Sequence, residues 1–160
     1  MIETEVHIAA TPAQVRDVIP ALNSAVTDYW QLLDFSKYPE WHTSFIKLLK
    51  SDDETKALKS LLPGDKIQCD IDGMKFTAEI KENSDSLFQW QGPPVYGLIA
   101  GLHSFHMEPS DNGSSTIFKQ TEEFSGPISF LMSPSLLGRK MLGQFEQFNK
   151  DLKARAEALK

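Results

Sequence analysis

A chain that closes on a long amphipathic helix, after a series of alternating strand-like segments, can bury that helix only against a sheet. Here Leu137, Met141, Phe145, Phe148, Leu152, Ala156 and Leu159 form one apolar stripe. From a cap at Ser133 or Ser135 the helix covers roughly 24 residues, about 36 Å at the usual rise, enough to cross an antiparallel sheet. In the strand before it, Thr116 to Gly126, alternation places Phe118, Gln120, Glu122 and Phe124 on one face. Two of those four are polar, and each would cost about 1–3 kcal/mol if buried in a solid core without a partner. A hollow core tolerates them. The pattern therefore predicts a cavity between sheet and helix.

The remaining segments supply the other strands. Ile2, Thr4, Val6 and Ile8 alternate with Glu3, Glu5 and His7 in a half-buried first strand. Thr11-Pro12-Ala13-Gln14 reads as a capping box opening a short helix, with Val15, Val18 and Ile19 on its apolar face and Pro20 breaking it. A second helical periodicity follows through Leu22, Val26, Tyr29, Trp30 and Leu33, then a short helical turn over Asp34 to Trp41. Strands are expected over Phe45 to Lys50, around Ile67, Cys69 and Ile71, through Met74, Phe76, Ala78 and Ile80, and around Phe88 and Trp90. His103, Phe105 and Met107 mark another. Asp72-Gly73 and Asp111-Asn112-Gly113 are hairpin turns. With neither repeats nor a linker, residues 1–160 are expected to form a single domain.

Composition narrows the functions available. A net charge of −6 with no block of Lys or Arg argues against a nucleic-acid partner. Cys69 stands alone, between Ile67 and Ile71 at strand spacing, and reads as a buried, inert thiol. No apolar run is long enough to span a bilayer, and the acidic start Met1-Ile2-Glu3-Thr4-Glu5 is unlike a signal peptide. A cytoplasmic location is expected. No metal site or cofactor is expected either: serines lack an elbow context, His and acids lack paired ligand spacing, and glycines are too dispersed for a phosphate loop.

The order strand, short helices, antiparallel strands and long C-terminal helix resembles the helix-grip fold of the START and pollen-allergen superfamily (SRPBCC), in particular its polyketide cyclase/dehydrase-like branch. The resemblance is carried by Ala10-Thr-Pro-Ala-Gln-Val15, Leu33-Asp-Phe-Ser-Lys-Tyr-Pro-Glu-Trp41, Trp90-Gln-Gly92, Gly101-Leu-His-Ser-Phe105 and Glu122-Glu-Phe-Ser-Gly126, which follow the family's order along nearly the whole chain. It implies an α+β fold in which a curved antiparallel sheet of about seven strands wraps around the C-terminal helix. The segment Ile19 to Gln31 departs from the family's pattern, in which the first two motifs adjoin. It is either a longer helical hairpin at a cavity mouth or an extra stretch in the gene model, and no role is carried onto it.

The expected site follows. If the last hairpin keeps both strands' inward residues together, His103 faces Gln120 or Glu122. A His–Glu pair in an apolar pocket allows mutual structural satisfaction, anchoring of a polar ligand group, or acid/base catalysis. Around it, Phe76, Ala78, Trp90, Phe105, Phe118, Met141 and Phe145 are expected to wall the cavity. His7 and His42 are expected at the surface, and His106 pointing outward. The apolar loops Pro93 to Ile99 and Gly126 to Pro134 could plug the sheet–helix gap, gate it, or touch a membrane transiently. Three functions remain open at this point. They are binding or transport of a small hydrophobic molecule (a lipid, sterol or polyketide-like ring system), a cofactor-free cyclase or dehydratase using His103 with Glu122, and a protein-interaction module with no small-molecule ligand.

Overall fold

The computed structural model describes residues 1–16, 42, 45–53, 55–56 and 60–158. Its strands are β1 (Ile2–Ile8), β2 (Ile46–Ser51), β3 (Lys66–Ile71), β4 (Met74–Asn83), β5 (Leu87–Gln91), β6 (Ala100–Ser110) and β7 (Ser115–Ser125). A short helix α1 (Pro12–Arg16) follows β1, and a long helix α2 (Gly138–Ala158) closes the chain. The strands form one curled antiparallel sheet in the order β1-β7-β6-β5-β4-β3-β2, so β1 and β2 lie at opposite edges. Every other neighbouring pair except β1–β7 is consecutive in sequence.

Local chemistry explains the punctuation. At α1 the Thr11 N–H donates to Gln14 Oε1 at 2.9 Å, and the Gln14 N–H donates to Thr11 Oγ1 at 3.2 Å, the reciprocal capping box. Asp72 and Gly73 both take positive φ, 53° and 85°, which lets a two-residue turn match the twist of β3 and β4. Asp111, Asn112 and Gly113 also take positive φ in the longer β6–β7 connection, the 3-10 turn Asp111–Gly113. The helical periodicities and insert read over residues 17–41 lie outside the described residues.

Helix α2 departs from its expected start. Ser133 and Ser135 are followed by turns, and the helix begins at Gly138. The Ser133 hydroxyl pairs with Ser135 Oγ at 3.1 Å, while the Ser133 carbonyl accepts the N–H groups of Leu136 and Gly138. Neither serine is therefore an N-cap of the helix. Its 21 residues span about 32 Å, and Leu137, ahead of it, is exposed.

Most of the described stripe beyond Leu137 is core. Phe145, Phe148, Leu152 and Ala156 are buried, and Phe148 stacks nearly parallel on Phe105 of β6 at 5.4 Å. Phe118 and Phe45 complete that cluster. Each such aromatic contributes about 1.5–3 kcal/mol on burial. The polar edge of α2 also clips β1: Asn149 Nδ2 donates to Thr4 Oγ1 at 3.0 Å, and Lys153 Nζ donates to the His7 carbonyl at 2.6 Å.

His42 corrects the surface expectation. It is buried, its Nδ1 hydrogen-bonded to Asp151 Oδ2 of α2 at 2.9 Å and its ring edge-on to Phe148 at 4.8 Å. A carboxylate from the helix satisfies the ring, which lets a polar residue enter the aromatic cluster. His7 is exposed and pairs with Asp111, as its alternation suggests. His106 is half-buried.

Candidate functional site

Strand register assembles the site. Residue by residue across the sheet, Ile80 of β4 stands beside Trp90 of β5, Trp90 beside His103 of β6, His103 beside Glu122 of β7, and Glu122 beside Ile2 of β1. Because side chains alternate along each strand, all of these share the face that α2 covers. The next row places Phe105 beside Gln120.

His103 is the hub. Its ring stacks on Trp90 at 4.3 Å and 27°, and meets Phe105 and Phe145 edge-on at 5.0 and 5.2 Å. Both ring nitrogens are engaged. Nδ1 lies 2.6 Å from Glu122 Oε2, and Nε2 lies 3.1 Å from the Gln120 amide nitrogen. An amide N–H donating to Nε2 makes that nitrogen the acceptor, so the neutral ring carries its proton on Nδ1 and donates it to the carboxylate. Gln120 is fully buried, and its Oε1 has no partner.

A cavity of about 530 Å³ opens beside this row, between the sheet and the first turns of α2. Its inner wall holds Phe45, Phe76, Trp90, His103, Glu122, Phe124, Met141 and Phe145. Among the expected residues, Phe76, Trp90, His103, Glu122, Met141 and Phe145 thus come together on the cavity. Ala78, Phe105, Phe118 and Gln120 do not line it. Phe105 and Phe118 are filled in by Phe148, Ala78 lies in the core, and Gln120 sits behind His103.

Sequence reasoning missed the floor and the mouth. Gly92, Ala100 and Gly101 line the cavity, and the two glycines leave space where larger residues would fill it. Asp72, Lys75, Lys140 and Gln144 surround the opening, and Lys140 forms an ion pair with Asp72. The bonds from Lys140 and then Gln144 hold the Asp72 carboxyl below its ordinary pKa. The Asp72-Gly73 turn was legible, but its nearness to Lys140 depends on how α2 crosses the sheet.

The two apolar loops meet at the same opening. Val95, Ile99, Met132 and Leu137 line the cavity, and the Ile128 N–H donates to the Leu98 carbonyl at 3.4 Å, joining one loop to the other. Tyr96, Phe130 and Leu136 do not line the cavity and are exposed, Tyr96 to 94%, and Leu137 is exposed at its edge. Among the described residues no group of three or more His, Cys, Asp or Glu converges as metal ligands, and no helix is long and apolar enough to cross a membrane.

No protein-family model matches the chain, and no curated protein matches it in sequence. Solved structures do. A START superfamily protein from Mycobacterium smegmatis superposes with a TM-score of 0.60 at 15% identity, over 99% of this chain and 98% of that one. Norcoclaurine synthase from Thalictrum flavum gives 0.60 at 11%, over 96% and 83%. The di-domain ARO/CYC StfQ from the steffimycin biosynthetic pathway gives 0.62 at 12%, over 98% of this chain and 45% of its own length. At these identities the likeness speaks for architecture alone. A curled seven-stranded antiparallel sheet gripping a long C-terminal helix, shared along nearly the whole chain with these proteins, gives this protein the helix-grip fold of the START and SRPBCC type.

Proposed function

We propose that this protein reversibly binds a small hydrophobic molecule (a lipid, sterol or polyketide-like ring system) in the cavity between the sheet and α2. The observation that carries the reading is the cavity itself: about 530 Å³, walled by aromatic and aliphatic side chains, with His103 and Glu122 as the polar pair at its inner end. That size and that ratio of apolar wall to polar anchor suit a ligand of drug-like dimensions, held by burial at about 25 cal/mol per Å² before ordering costs. The apolar rim of Tyr96, Phe130, Leu136 and Leu137 suits transient contact with a membrane or a carrier during exchange.

The test is native mass spectrometry, with organic extraction, on protein purified from its own host. The expected result is one hydrophobic species at near-stoichiometric amount, reduced in Met141→Trp, whose indole would take up part of the cavity. Empty wild-type protein that also takes up no hydrophobic probe overturns the reading. A second reading, a cofactor-free cyclase or dehydratase, rests on the 2.6 Å His103–Glu122 bond at the cavity wall. It requires Glu122 to meet the substrate, since His103 has neither nitrogen free.

A further inference from the structure

The geometry points to a specific ligand chemistry at this proposed cavity: Glu122 Oε1 is the anchoring atom, and it selects a hydrophobic molecule that presents an O–H or N–H donor. This rests on the cavity being a binding site. Glu122 Oε2 takes the His103 proton, whereas Oε1 accepts no hydrogen bond among the described residues. Oε1 lies where a methyl group on Gly101 would overlap it, and both Glu122 and Gly101 line the cavity. An oxygen of a carboxylate whose side chain is only 12% exposed, facing an apolar space with one hydrogen bond to its sister atom, is an under-satisfied acceptor.

Three features make the preference one-sided. A carboxylate only accepts, so ketones, ethers and esters gain nothing from it. His103 cannot compensate by donating to such ligands, because its Nδ1 is held by Glu122 and Gln120 closes the other nitrogen. No described Lys or Arg pairs with Glu122; Lys140, at the mouth, is engaged by Asp72. Anionic ligand ends are therefore repelled from the inner wall, while a hydroxyl or an ammonium group completes the carboxylate's shell. His103 is a positioning residue in this scheme: held by Gln120 and Trp90, it turns Glu122 so that Oε2 is spent internally and Oε1 faces the ligand.

The experiment titrates four probes into the intact protein by calorimetry: a naphthyl-ethyl body ending in hydroxyl, ammonium, methyl ether or carboxylate. The hydroxyl and ammonium probes are expected to bind about 10-fold or more tightly than the ether, with the carboxylate weakest. The first two arms separate an alcohol or phenol from an amine as the natural chemistry. Glu122→Gln, which keeps the shape, is expected to bring the donor-to-ether ratio toward one. His103→Asn keeps an N–H where Nδ1 stood and retains the ratio, whereas His103→Phe loses it. A plain change of stability would shift all four probes together. Four probes binding with equal affinity overturn the donor selectivity and leave the cavity reading standing; no binding by any of them overturns both.

Discussion

Gly101→Ala is the sharpest probe of how the sheet makes room for the polar pair. Gly101 adopts no positive φ, so alanine brings no backbone strain. Its methyl would overlap Glu122 Oε1 and press on Cδ at 3.2 Å, while its next neighbour, Phe124 Cε1 at 3.6 Å, is an ordinary contact. The carboxylate must swing away and release His103. Losing one charge-assisted hydrogen bond costs about 1.5–3 kcal/mol, and the reduced freedom of the unfolded chain returns about 0.4–1. The net expected loss is about 1–2 kcal/mol. In the Glu122→Ala background nothing is left to displace, and the same substitution is expected to be neutral or stabilising by up to about 1 kcal/mol. Urea denaturation of the four proteins closes the cycle with a coupling of about 1.5–3 kcal/mol. Equal losses in both backgrounds would refute the steric link between Gly101 and the His103–Glu122 pair.

Other predictions follow from the remaining groups. Burial lowers the His42 pKa against the opposing pull of Asp151, so the unfolded chain binds the extra proton more readily. This contribution to stability is therefore present above about pH 6.5 and lost as pH falls through the folded value. His42→Gln should flatten the wild-type slope between neutral and mildly acidic pH in denaturant titrations; an unchanged slope would refute the assignment. Burial pushes the Cys69 thiol up to about 12, so a thiol reagent at pH 8 should label it only in denaturant, and rapid labelling of folded protein would contradict the packing. Gly126→Ala should cost more than Gly101→Ala, about 2–5 kcal/mol by thermal or urea unfolding. Gly126 holds φ 104°, and its methyl would strike the Leu98 carbonyl, a backbone atom that cannot rotate aside. A loss under about 1 kcal/mol would mean that the two loops are not fixed against each other there.

Most of the sheet was legible because alternation survives tertiary context. Ile2 and Ile8, Ile67 and Cys69, Phe88 and Trp90, and Phe105 and Met107 are all buried as their period implies. The turns were legible because positive φ demands particular residues, and Asp72-Gly73 carries them. The start of α2 was not, since Ser133 and Ser135 are good caps in isolation, yet backbone turns absorb them before Gly138. His42 was misread for a similar reason: its partner Asp151 lies 109 positions away. No local pattern announces a bond between a loop and the outer flank of a helix. Likewise, β6–β7 register could be narrowed to two partners for His103, but only the pairing itself decides that Glu122 stands beside it.

Two polar residues on one face of β7 met opposite fates, and the difference explains where the hollow lies. Gln120 stands beside Phe105, in the row where Phe148 stacks and the helix fills the sheet completely. There an amide survives by bonding His103, at the expense of an unpaired Oε1. Two residues on, Glu122 stands beside His103, next to Gly101, and Gly92, the neighbour of Gly101 across the sheet, presents no side chain either. The helix opposite them has only just begun, at Gly138, and offers Lys140, Met141 and Gln144 ahead of its first phenylalanine, Phe145. Small residues below and a late helix start above open one end of the grip, while aromatic stacking closes the other. Enlarging the floor should thus shrink the cavity without touching the core. Gly92 pairs with Gly101, takes no positive φ, and a Cβ there meets only ordinary contacts. Gly92→Leu is therefore expected to weaken binding of every probe while leaving the unfolding free energy within about 0.5 kcal/mol of wild type. A loss of stability comparable to that of a core truncation would mean that the floor is packed, and that the space beneath Glu122 is not available to a ligand.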